Sequence, residues 1–143
     1  MPPRSHEAFI ALAKTKTPRS QGRLADSASV QGETGRNEAR LESATAYLEA
    51  TLASIYAAAD DHDIISIPDR GRVRLACAHA IQASIDVADT VYKAAGVDAI
   101  FPGSPFERRF RDMHTLSQQI QSRGSHFESV GQILLGNAPE TFL

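Results

Sequence analysis

At 143 residues, with a formal net charge of −2, 42% hydrophobic residues and one cysteine, the chain is long enough to bury a core of its own as a single domain, residues 1–143. The acid-leaning balance excludes the basic surplus that binding to nucleic acid or an anionic membrane requires; no run reaches the roughly 18 apolar residues of a membrane span or has the layout of a signal peptide. A lone Cys77 excludes a disulfide framework and points to a reducing, cytoplasmic setting.

Residues 1–4 and 137–143 read as loose ends. A short helix is expected over residues 5–13, capped by Ser5, with Phe9, Ile10 and Leu12 apolar. Residues 14–24, with Thr17-Pro18 and Gly22, have loop composition. The longest helix is expected over residues 27–60, most secure after Arg36 because Gly32 and Gly35 weaken its start. Its stripe is Leu41, Thr45, Leu48, Leu52 and Ile55, stepping by four and three. Asp60, Asp61, His62 and Asp63 close it as a solvated turn: four consecutive residues cannot all face one ion, so no metal site is expected.

Ser66-Ile67-Pro68-Asp69 starts the next helix, which runs to Ala95 and ends at Gly96 in a left-handed position. Val73, Cys77, Ala80, Ser84, Val87, Val91 and Ala94 form one stripe; Leu75, Ile81, Ile85 and Ala88 widen it, so this helix is expected to be buried on more than one side. Cys77 falls on that stripe, where a thiol packs as a small hydrophobe.

After a connector at 97–103, Ser104, Pro105 and Glu107 give the clearest helix start in the chain: a cap, a first-turn proline and a capping box. Phe106, Phe110, Met113 and Ser117 face inward at helical spacing, while Arg108, Arg109, Arg111 and a polar run from His114 to Gln121 take the other side. Ser125 and Glu128 suggest a third capping box, leading to a helix with Val130, Ile133 and Leu134 that stops at Gly136. No strand pattern competes. The expected fold is all-α, an antiparallel up-down helical bundle of three long and two short helices.

Tyr92-Lys93-Ala94-Ala95-Gly96, Ile100-Phe101, the block from Ser104 through Arg111-Asp112 and His114 to Gln118, and Gly131 to Gly136 together resemble the C-terminal helical domain of the acyl-CoA dehydrogenase superfamily, nearest its flavin-dependent monooxygenase branch. The resemblance implies a flavin, FAD or FMN, held between this bundle and a β-domain in a homo-oligomer, a dimer or tetramer. It places the residues after Gly96 against the flavin of an adjacent subunit, with Val97 where a second glycine is frequent. It also implies a catalytic glutamate or a histidine just beyond the Arg-Asp pair, where this chain has Gln118, Gln119, Ile120 and Gln121. A glutamine hydrogen-bonds but does not carry a proton near neutral pH.

The resulting candidates are His114 and Gln119 for chemistry and Gly96, Arg111, His114 and Gln118 for the cofactor. Each has a plainer reading: Arg111-Asp112 as a structural ion pair, His114 as a hydrogen-bonded packing residue, the glutamines as solvated surface. Two functions follow. The chain is part of a flavin-dependent oxidoreductase or monooxygenase and is not competent alone, or it is a free-standing helical oligomerisation or binding module without flavin chemistry.

Overall fold

A computed structural model describes residues 5–19, 21–59 and 65–139. Among them lie five α-helices and no strand: α1 (Ser5–Thr15), α2 (Ala28–Ala59), α3 (Ile67–Ala95), α4 (Pro105–Ser117) and α5 (Ser125–Leu134). Short 3-10 turns cover Leu24–Asp26, Gly96–Ala99 and Ile120–Ser122. The all-α expectation holds, and the acidic turn Asp60-Asp61-His62-Asp63 lies outside the described residues. Contacts divide the chain into two compact units, Met1–Leu41 with Ser84–Thr115 and Glu42–Ala83 with Leu116–Leu143; α2 and α3 contribute to both.

The first unit is organised around small residues. Phe9, Ala13, Val87, Val91, Ala95, Ala99 and Phe106 form its core, with Leu12, Leu24, Val30 and Leu41 packed around them. Ala95 and Ala99 are fully buried, so α3 and the turn after it meet their neighbours with little side chain between. Lys16 fastens this corner: its Nζ donates to the Ala95 carbonyl at 2.6 Å and pairs with the Asp98 carboxylate. A cation there meets the negative end of α3. Gly96 follows at φ +59°, the left-handed stop expected from the sequence.

In the second unit Ala44, Thr51, Ile55, Ala76, Ala78, Ala83, Ser129 and Val130 are buried. This corrects the stripe on α2. Ala44 and Thr51, not Thr45 and Leu52, share the buried side with Ile55, and Leu52 is 45% exposed. Around Cys77 on α3, Ala76 and Ala78 are buried and Cys77 only partly so, lining a surface cavity; the thiol is not the packed hydrophobe the stripe suggested. On α5 the buried side is His126, Ser129 and Val130, while Leu134 turns out to solvent at 78% exposure.

Helix starts follow the sequence in two of three cases. The Ser66 hydroxyl accepts the Asp69 N–H at 3.2 Å and donates to the Asp69 carboxylate at 2.7 Å. That bond first, and Arg72 beside it second, hold the Asp69 carboxyl below the usual carboxylate range. A carboxyl depressed in the folded state stabilises it above the unfolded-state value and loses that contribution as pH falls through the lowered one. Ser66→Ala is therefore expected to destabilise the protein at neutral pH and to narrow its difference from wild type in acid. Thermal melts at about pH 7 and pH 3 check this; a constant difference would refute the coupling.

Ser104 accepts the Phe106 N–H at 3.3 Å, but its own N–H goes to the Phe101 carbonyl, and Glu107 reaches forward to Arg111. The cap forms, to the second helical N–H, and the capping box with Glu107 does not. Ser104→Ala is expected to cost about 1 kcal/mol in denaturant melts, the usual worth of a cap. The third box is absent: α5 is preceded by Gly124 with no side-chain cap, and Ser125 is already helical.

Candidate functional site

Of the candidate residues, His114 lies along two packed aromatics in the first unit. Tyr92 on α3 and Phe110 on α4 stack with ring centroids 4.3 Å apart, and His114 lies against Phe110 at the same spacing. The Asp89 carboxylate accepts a hydrogen bond from the His114 ring, Nε2 to Oδ1 at 2.8 Å. Both side chains keep partial solvent contact, at 44% and 31% exposure. A carboxylate so placed fixes the ring's orientation and favours the tautomer with hydrogen on Nε2. His114 is thus a positioned, half-exposed imidazole. This hydrogen-bonded arrangement serves packing and proton handling equally well.

Asp89 escaped the sequence reading, and Tyr92 entered it only within the family-like block and not as a site residue, because their partners sit on another helix. A signal did exist. Tyr92 and Phe110 stand nine residues on either side of Phe101, and Asp89 and His114 stand twelve and thirteen away. In a helical hairpin turning near Phe101, those residues face one another.

Arg111 and Asp112 do not pair with each other. They make spaced ion pairs along α4, Arg111 with the half-buried Glu107 at 3.6 Å and Asp112 with Arg108 at 3.7 Å, mostly exposed and worth little to stability. The polar run from His114 to Gln121 is not one helix face either. α4 stops at Ser117, the Leu116 carbonyl accepts both the Gln119 N–H at 3.0 Å and the Ser122 hydroxyl at 2.7 Å, and Gln119 takes an extended backbone. Gln118 is exposed and donates to the Ser117 hydroxyl at 3.1 Å. In the same segment His126 donates from Nε2 to the Ile120 carbonyl at 2.6 Å, tying α5 to the turn that follows α4.

Gly96 opens the most apolar exposed segment in the first unit. Val97, Ile100 and Phe101 are 59%, 57% and 57% exposed within five positions. Among the described residues no group of three or more His, Cys, Asp or Glu side chains is placed to hold a metal ion. No described helix is long and apolar enough to cross a membrane.

A profile of the acyl-CoA dehydrogenase C-terminal domain matches residues 4–123. Among solved structures, XiaF from Streptomyces sp., in complex with FADH2 and glycerol, superposes with a TM-score of 0.86 at 19% identity over 96% of this chain and 36% of its own. The HsaA monooxygenase from M. tuberculosis superposes with a TM-score of 0.79 at 21% identity, again over 96% of this chain and 35% of its own. At these identities the likeness is one of fold. The chain spans about a third of either protein's length. No curated protein matches it significantly.

Proposed function

The chain belongs to the family of acyl-CoA dehydrogenase C-terminal domains, and from that membership we propose that it forms the helical wall of a flavin site in an oxidoreductase of the monooxygenase type. The observation that carries this reading is the exposed apolar segment Val97, Ile100 and Phe101 directly after the left-handed Gly96. A structure with the same fold holds FADH2, and another is a monooxygenase. FAD is the preferred ligand and FMN the alternative. The assembled form is a homo-oligomer, a dimer or tetramer.

Bound flavin supplies the electron transfer that no protein side chain provides. The residues of this chain cover one face of the ring, keep water from it and offer polar groups at its edge. His114, held by Asp89, is the group able to take or give a proton at its ring nitrogen. Arg111 supplies hydrogen bonds; Gln118 and Gln119 belong to the second unit, where the Gln118–Gln121 run has no carboxylate to abstract a proton and Gln119 stands where the monooxygenase branch has a histidine. One wall alone leaves the ring open to water, so the isolated chain is expected to turn over neither an acyl-CoA nor a phenol.

The chain is expected to quench FAD fluorescence more strongly than FMN fluorescence, with Phe101→Ala weakening the effect, and to scatter light as an oligomer. Absence of quenching by either flavin would sink the proposal and leave a free-standing helical binding module as the better reading. Quenching by a monomer would remove only the oligomer.

A further inference from the structure

A cavity of about 280 Å3 opens in the second unit, lined by Ile65, Arg70, Val73, Arg74, Cys77 and Gln121. It has no part in the flavin reading and does not depend on it. Arg70 and Arg74 stand four positions apart on α3, so they share one face, where like charges at that spacing repel. Their neighbour Arg72 is neutralised by Asp69 at 3.2 Å. Among the described residues Arg70 and Arg74 have no acidic partner and no carboxylate lines the cavity. Arg70 donates from Nε to the Ile65 carbonyl at 3.2 Å, which holds its guanidinium at the rim. Arg74 is partly buried, and withdrawing from water a cation with no described acidic partner costs free energy that an anion would offset. The remaining walls are the side chains of Ile65 and Val73, the Cys77 thiol and the Gln121 amide.

We propose that this cavity binds a small organic monocarboxylate with an apolar body. The guanidinium forks of Arg70 and Arg74 match a carboxylate, and Ile65, Val73 and Cys77 receive the hydrocarbon part.

Benzoate is the probe. Its binding to the full chain is read by line broadening in ligand NMR and by slower alkylation of Cys77 with neutral iodoacetamide. Benzyl alcohol and inorganic phosphate, at matched ionic strength, are expected to do neither. Arg70→Gln with Arg74→Gln is expected to weaken benzoate at least about tenfold and to abolish the protection of Cys77. Gln121→Glu keeps both arginines and sets a competing carboxylate at the rim; it is expected to weaken benzoate as well. Should the double variant lose its helicity by circular dichroism, Gln121→Glu decides. The site is refuted if benzoate leaves wild-type alkylation unchanged, if either control protects as well as benzoate, or if Gln121→Glu or a folded double variant binds like wild type.

Discussion

Replacing Phe106 with alanine is expected to destabilise the protein by about 3–5 kcal/mol, the range for removing a buried phenyl ring together with the cavity left behind. Phe106 is 6% exposed and enters the core made by Phe9, Ala13, Val87, Val91, Ala95 and Ala99. Two of the residues around it have only a methyl group to offer at full burial, Ala95 and Ala99, so nothing large can swing in to refill the space. Phe110, one turn later on α4, is the informative comparison. The sequence stripe makes it a core residue, but it is only partly buried and its main packing is the stack on Tyr92. Phe110→Ala is therefore expected to cost about 1–2 kcal/mol, partial area burial plus an aromatic pair. Denaturant melts of the two variants side by side test the facing of α4. Equal losses, or a larger loss at Phe110, would mean the helix is rotated from the orientation described. For a domain whose total stability is about 5–15 kcal/mol, the difference is easily measured.

The contrast between these two phenylalanines shows where sequence reasoning reaches its end. The start of α4 is written locally in Ser104 and Pro105, and the end of α3 in Gly96, because caps and left-handed stops act over a few residues. The buried side of α2 is harder. Leu41, Leu48 and Ile55 fit two alternating stripes, one completed by Thr45 and Leu52 and the other by Ala44 and Thr51. Choosing the more apolar pair is reasonable on transfer energy and wrong here, since Ala44 and Thr51 are 3% and 4% exposed. Small side chains are selected where backbones come close, and only the neighbour's position reveals that. The same holds at the candidate site. His114 and Arg111 are visible as chemistry-bearing types, but Asp89, which fixes His114, is 25 residues away on another helix. The break at Ser117, which takes Gln118 and Gln119 off the helix, depends on Ser122 capturing the Leu116 carbonyl from beyond the turn. Propensity alone would carry the helix onward through the glutamines.

Ala95→Leu is expected to cost about 1–3 kcal/mol by overpacking, and its consequences should reach the proposed flavin wall. Ala95 is fully buried at the last position of α3, in the same core as Phe9 and Phe106. Three added carbons have no void to enter there, so either the side chain leaves its preferred rotamer or the helix end shifts. A shift is resisted locally by Lys16, which donates to the Ala95 carbonyl and pairs with Asp98 in the next turn. The strain thus falls on Gly96–Ala99, the turn leading into the exposed Val97, Ile100 and Phe101. Ala57→Leu, at an exposed position of α2, adds the same carbons where there is room and is expected to stay within about 0.5 kcal/mol of wild type. If residues 97–101 form the flavin-facing surface, Ala95→Leu should weaken flavin quenching under conditions where the variant is still fully folded, and Ala57→Leu should not. Stability lost with quenching intact would separate the packing of this corner from the surface it presents. Stability unchanged in Ala95→Leu would mean that the close approach at the end of α3 is absent, and with it the reason for placing that segment so firmly.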